Sequence, residues 1–196
     1  MDLDLDADVV GSVFVPARSS STPTSASTST PVVPAGSRHS PFRLRPARPA
    51  DARACAAVMR ASIRALPPGV HSRAELAAWA SLPPLYHRWA MGPGGEAYLV
   101  AERRGRILGY AARRGAELTA AFVRPGAQGR GVGRALVEAT CAAVARDGHR
   151  SVQVLAARAA AGFYAALGFR TGARTRAPLP GGLSLTAVRM RLPLGG

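Results

Sequence analysis

VRPGAQGRGVGRAL, Val123 to Leu136, joins an apolar run to a helical pattern through a loop holding four glycines. Glycine inside a helix costs about 1 kcal/mol relative to alanine, so keeping several at such a junction points to a gain elsewhere. Upstream, ELTAAFV, Glu117 to Val123, reads as a strand; downstream, ALVEATCAAVARDGH reads as an amphipathic helix with Gly148 near its C-terminal cap. In that setting glycines let the main chain approach a ligand with its N–H groups turned inward, and the helix N-terminus adds a positive dipole end.

Two familiar phosphate signatures fail on this loop. Gly126 and Gly131 have the P-loop spacing, but Val132 stands where lysine is required. A dinucleotide fingerprint started at Gly129 meets Arg134 in third place, and started at Gly131 it meets Leu136. The remaining pattern is Gln128-x-x-Gly131-x-Gly133, which suits a pyrophosphate, with Arg130 and Arg134 placed to add charge at its rim.

Outward from the loop, the hydrophobic period alternates between helix and strand. FRLRPAR, from Phe42, alternates as a strand, and Asp51 is expected to cap a helix whose stripe is Ala56, Ala57, Met59, Ile63 and Leu66. Ser72 and Glu75 have capping-box spacing at the head of a second helix ending near Leu82. Ala97 to Glu102 and Ile107 to Arg113 form a hairpin across RRGR, and Ser151 to Ala156 is a strand after the glycine-loop helix. A short helix stopped by Gly168 and a last strand in Leu183 to Leu192 complete a mixed α/β sheet of six strands with helices on its faces. The expected domain spans residues 41–193. Residues 1–40, with the low-complexity segment Ser19 to Gly36, are expected to be a disordered tail.

Composition narrows the function. The net charge of +15 invites a nucleic-acid partner, yet all 26 basic residues are arginine, scattered through turns and strand ends, as in a chain written by a GC-rich genome. No specific nucleic-acid partner is expected. Cys55 and Cys141 make neither a metal spacing nor a disulfide framework and read as core thiols. The four histidines have no carboxylate or cysteine at ligand spacing, so no metal is expected. No apolar run reaches the roughly 18 residues of a membrane span, and the MDLDLD start is acidic where a signal peptide is basic. The expectation is a cytoplasmic protein without a membrane partner.

The loop and its surroundings resemble the GNAT superfamily of N-acetyltransferases, whose acetyl-CoA motif is Q/R-x-x-G-x-G/A between a strand and a helix. Val123 and Pro125 match the V-x-P ahead of that motif, and Ala160, Phe163, Tyr164, Gly168 and Phe169 match a later element, A-x-x-F-Y-x-x-x-G-F. Ser72, Glu75, Trp79 and Ala80 also resemble a helix of one branch of the superfamily. The resemblance covers about Phe42 to Leu192.

It implies a GNAT-like, largely antiparallel mixed sheet and direct acetyl transfer from acetyl-CoA to a primary amine of a small molecule or peptide, within a ternary complex. It also implies cofactor contacts at Phe122, Val123, Gln128, Gly129, Arg130, Gly131, Val132, Gly133 and Arg134, with backbone N–H groups near Phe122 and Val123 polarising the thioester. Tyr164 is implied as the group that protonates the leaving thiolate. Glu117 occupies a position where some members place a base, and Glu75, Glu96 and Glu102 are weaker alternatives among the seven acidic residues beyond the first ten positions. Ala157 stands where many members hold the cofactor's amide arm with Asn or Ser, which leaves a CoA-binding regulatory module as the alternative reading. The resemblance is also compatible with a homodimer.

Overall fold

The computed structural model describes residues 42–195. The Ser/Thr/Pro-rich segment and the acidic start lie outside the described residues. In chain order the elements are β1 (Arg43–Pro46), α1 (Ala52–Arg64), α2 (Arg73–Ala80), α3 (Pro84–Met91), β2 (Ala97–Arg103), β3 (Arg106–Arg114), β4 (Glu117–Val123), α4 (Val132–Arg146), β5 (Ser151–Ala157), α5 (Ala161–Ala166), β6 (Arg170–Pro178) and β7 (Ser184–Pro193). The strands form one sheet in the order β1-β2-β3-β4-β5-β7-β6. Every neighbouring pair is antiparallel except β4 with β5.

Local chemistry accounts for much of this. Arg104 and Gly105 both take positive φ, 50° and 75°, as a two-residue hairpin turn between β2 and β3 requires. The Ser72 Oγ accepts from Glu75 N–H at 3.2 Å, and the Glu75 carboxylate accepts from Ser72 N–H at 2.8 Å, so the capping box at the head of α2 is formed. Gly148 follows α4 at φ +85° with its N–H on the Ala145 carbonyl, the left-handed exit that glycine favours.

Four expectations are corrected. Asp51 caps α1 with no side-chain hydrogen bond; its carboxylate instead takes the Arg48 N–H at 2.7 Å and an ion pair with Arg45 at 2.7 Å, closing a short 3-10 turn over Pro49–Asp51. A third helix, α3, occupies the segment after Pro83, because Pro84 falls in its first turn, where the missing N–H costs nothing. The sheet has seven strands rather than six: β6 carries no apolar alternation, is exposed along most of its length and owes its existence to pairing with β7. Of the expected helix stripe, Ala57 is only half-buried and Leu66, likewise half-buried, falls beyond the end of α1, while Cys55, Val58 and Ser62 join Ala56, Met59 and Ile63 on the inner face.

Two cores flank the sheet. One lies under α4 and α5 and contains Val123, Ala127, Val132, Leu136, Phe163 and Tyr164. The other lies under α1 to α3 and contains Met59, Ile63, Trp79, Tyr98, Tyr110 and Phe122. Cys55 and Cys141 are buried, one in each, and burial pushes their thiols up to about 12 and about 11, so both stay protonated.

The feature that positions the site is a bulge in β4. Ala112 pairs with Ala120 and Arg113 with Leu118, which leaves Thr119 as an extra residue. Side chains accordingly change face across it: Leu118, Ala121 and Val123 point to the α4 core, Ala120 and Phe122 to the α1 core. The same residue marks where β4 leaves β5. Their parallel ladder holds only Glu117↔Gln153 and Leu118↔Val154, whereas β4 stays on β3 as far as Val123 and β5 stays on β7 as far as Ala157.

Candidate functional site

Beyond Leu118 and Val154 the facing edges of β4 and β5 have no strand partner, so a wedge opens toward their C-terminal ends. Unpaired strand edges present rows of N–H and C=O groups, and a ligand arm can bond to them as another strand would. The β4 side is held stiffly: a Cβ on Gly109, opposite Val123, would lie 2.8 Å from the Phe122 carbonyl oxygen, so β3 packs closer there than any other residue permits.

At the wide end of the wedge the glycine loop turns the chain into α4. The Gln128 side-chain amide donates to the Val123 carbonyl at 3.2 Å, tying the loop to the strand end, and Arg124 donates to Ile107 and Leu108 carbonyls on β3 through its side chain and backbone. Gly129 and Gly131 take φ +69° and +75°, the left-handed region. Gly131 is the N-cap of α4 with no side-chain cap, and a Cβ on it would project into open space. The first N–H groups of a 15-residue helix thus face an open cradle with the positive dipole end behind them, the arrangement that takes an anion.

The structure brings most of the expected residues together here. Phe122 and Val123 are buried at the end of β4; Gly129, Arg130, Gly131 and Arg134 are exposed around the cradle; Gln128 is half-buried; Val132 and Gly133 are buried in the first turn of α4. Arg134 pairs with Glu138 at 3.2 Å on the helix surface. Ala157 is fully buried at the end of β5, paired with Ala187. Tyr164, on α5, is fully buried in the same core as Val123, Ala127 and Val132, with its ring 5.2 Å from Phe163 and 5.3 Å from Phe169. Glu117 stands apart, exposed at the narrow end of the wedge, six strand residues and roughly 20 Å from Val123.

The alternative carboxylates divide sharply. Glu75 is committed to the α2 cap, and the Ser72 backbone hydrogen bond holds it below the usual carboxylate range. Glu102 is clamped by Arg45 and Arg43 of β1, which hold it low as well. Glu96 differs: its side chain is 1% exposed, accepting from the Thr119 hydroxyl at 2.9 Å and from Arg114 Nη2 at 3.0 Å. Burial raises its carboxyl against the opposing pull of Thr119 and Arg114. The bulge that aims Thr119 at Glu96 leaves no trace in residue spacing. Among the described residues no cluster of three or more His, Cys, Asp or Glu could hold a metal, and no helix is long and apolar enough to cross a membrane.

Comparison with known proteins bears on this site. The profile of the acetyltransferase (GNAT) domain matches residues 71–191. A GCN5-related N-acetyltransferase from Rhodopseudomonas palustris is 29% identical, with a TM-score of 0.73 over 78% of this chain and 96% of that one. The yncA protein of Salmonella typhimurium, solved with its cofactor acetyl-CoA, is 21% identical, with a TM-score of 0.59 over 79% of this chain and 95% of its own. A GNAT-family acetyltransferase from Brucella melitensis, in complex with acetyl-CoA, is 23% identical, with a TM-score of 0.55 over 81% of this chain and 91% of its own. The last two share the fold. No curated protein matches the sequence.

Proposed function

The chain belongs to the GNAT acetyltransferase family, and from that premise we propose that it moves an acetyl group from acetyl-CoA directly to a primary amine of a small molecule or peptide. The observation that carries this reading is the wedge between β4 and β5 with the uncapped head of α4 at its wide end. Fold neighbours solved with acetyl-CoA support the choice of co-substrate. When bound, acetyl-CoA supplies the acyl group already activated as a thioester.

The chain's own residues divide the remaining tasks. Backbone N–H groups from Gly129 to Arg134 hold the pyrophosphate, with Arg130 and Arg134 adding charge at the rim. The open edge of β5 at Leu155 to Ala157 bonds the extended amide arm through its backbone, which dispenses with a polar side chain at Ala157. The Val123 N–H, on the edge of β4 that faces the wedge, orients and polarises the thioester carbonyl, whereas Phe122 turns its N–H toward β3. This stabilisation acts without reorganisation because the strand end is fixed. Tyr164 supplies the proton that a departing thiolate needs. Glu117, exposed at the narrow end of the wedge, is out of contact with an amine at Val123 and takes the proton that an ammonium must lose before it attacks only by way of solvent.

Saturating acetyl-CoA should raise the melting temperature, by about 2.7 kcal/mol of stability at a hundredfold excess over Kd. No shift at millimolar concentration refutes the reading. CoA release against a panel of amines separates an enzyme from a CoA-binding regulatory module, and Tyr164→Phe should lower turnover while leaving acetyl-CoA affinity unchanged.

A further inference from the structure

Charge is divided unevenly along this chain. No acidic residue follows Asp147, and seven arginines do, whereas Asp2, Asp4, Asp6 and Asp8 all precede the first arginine, Arg18. Five of those seven lie on the last two strands: Arg170, Arg174 and Arg176 on β6, Arg189 and Arg191 on β7, all of them exposed. Arg170 stands directly opposite Arg191, a cross-strand pairing that like charges disfavour. Among the described residues the only ion pair made by the five is Arg176 with Glu75, at 3.8 Å.

These arginines border an open edge. β6 ends the sheet; its inner edge is bonded to β7, and its outer edge has no strand partner among the described residues. A row of N–H and C=O groups is therefore free to take a further strand. A second copy of the chain is a poor occupant, because two β6 edges related by a two-fold axis would lay arginine against arginine. The fitting occupant is an extended segment with a carboxylate at every second position.

Residues 2–9, DLDLDADV, have that pattern, with Asp2, Asp4, Asp6 and Asp8 alternating with Leu3, Leu5, Ala7 and Val9. As a strand this sequence sets its carboxylates on one face and its apolar side chains on the other. Aspartate is a poor strand former by itself, so such a strand needs an edge that supplies both backbone partners and cations. Arg170, its cross-strand partner Arg191 and Arg189, two residues away, share one face of the β6–β7 pair. Leu167 and Leu192 are half-buried on the opposite side, packed against the core under α4 and α5. The tether is long enough: β1 and β6 are the two outer strands, about 29 Å apart at ordinary strand spacing, and the 32 residues from Val10 to Pro41 reach at most about 105 Å.

We propose that residues 2–9 dock on the outer edge of β6 as an eighth strand, with their aspartates over Arg170, Arg189 and Arg191 and their apolar side chains toward Leu167 and Leu192. The contact goes beyond the acetyl-transfer reading and does not depend on it. It closes an edge that is otherwise a template for pairing with other chains.

Hydrogen exchange by NMR on the full chain at low salt tests this against a variant with Asp2, Asp4, Asp6 and Asp8 all changed to asparagine, which removes the charge and keeps the side-chain size. The outward amides of β6 should exchange about tenfold more slowly in the wild type, the protection given by docking about nine-tenths of the time. In about 1 M NaCl, where the screening length falls to about 3 Å, most of the difference should vanish. Arg170→Gln combined with Arg191→Gln should lose the protection as well. Equal exchange of β6 in the wild type and the asparagine variant overturns the proposal, as does full protection in the double arginine variant. Protection that grows with protein concentration and survives in the asparagine variant overturns it in favour of a second copy. The melting-temperature shift with acetyl-CoA should be the same in all three chains, so its absence strikes the acetyl-transfer reading and leaves the exchange result to decide the edge.

Discussion

The wedge and an aromatic cavity on the α1 side of the sheet, walled by Trp79, Tyr98, Tyr110 and Phe122 and lined by His87 and Glu96, share strand β4 and are built in opposite ways. The wedge is made of backbone: unpaired edges of β4 and β5, two glycines in the left-handed region, and the uncapped start of α4. The cavity is made of side chains drawn from three helices, three strands and the connections at Leu82 and Glu96, most of them buried. A backbone site tolerates almost any side chain that leaves φ and the N–H vectors alone, so it is defined by a few glycines. A side-chain site depends on every wall, and its chemistry comes from what burial does to His87 and Glu96.

That contrast breaks most visibly at Gly131. A β-branched residue at φ +75° is strained and carries its side chain into the cradle, so Gly131→Val should abolish the melting-temperature shift caused by acetyl-CoA. A retained shift would mean that the cradle is not where the cofactor binds. Trp79→Ala reverses the balance. It should cost about 3–5 kcal/mol of unfolding free energy by denaturant titration, yet leave acetyl-CoA affinity near the wild-type value in the folded protein. Loss of cofactor affinity there would show the two regions to be one unit.

The smallest expected effect is on acid stability. His87 is neutral and buried, with its native value depressed from 6.5 to about 4, so its contribution is present above about 6.5 and is lost as pH falls toward about 4. The loss amounts to at most about 3 kcal/mol. Glu96 works in the other direction: its raised carboxyl contributes stability at pH below the ordinary carboxylate value, lost as pH rises through its native one. Unfolding free energy measured from pH 7 to 4 should therefore fall less steeply in His87→Leu than in the wild type. An equal slope would place the imidazole in contact with solvent.

Legibility followed the same division. The hairpin turn, the α2 capping box, the glycine exits of α4 and α5 and the glycine loop ahead of α4 rest on residues within a few positions of one another, where spacing carries the physics. Asp51 misled because an arginine on β1 competes for its carboxylate, a contact with no local signature. The second helix was expected to end near Leu82 with no helix after it, whereas Pro84 starts α3. Strand β6 could not be seen because an exposed edge strand needs no apolar alternation, only a partner with free N–H and C=O groups.

From the sequence alone, then, come the mixed α/β class, the glycine loop from Gln128 to Gly133 between a strand and a helix, and the short helix that carries Tyr164, because backbone conformation and hydrophobic period are local properties written in residue type. The Thr119 bulge, the parting of β4 from β5 and the placing of His87 and Glu96 around one cavity were decided only by tertiary structure. Each depends on which strand lies beside which, and on how much water packing removes from groups distant in the chain.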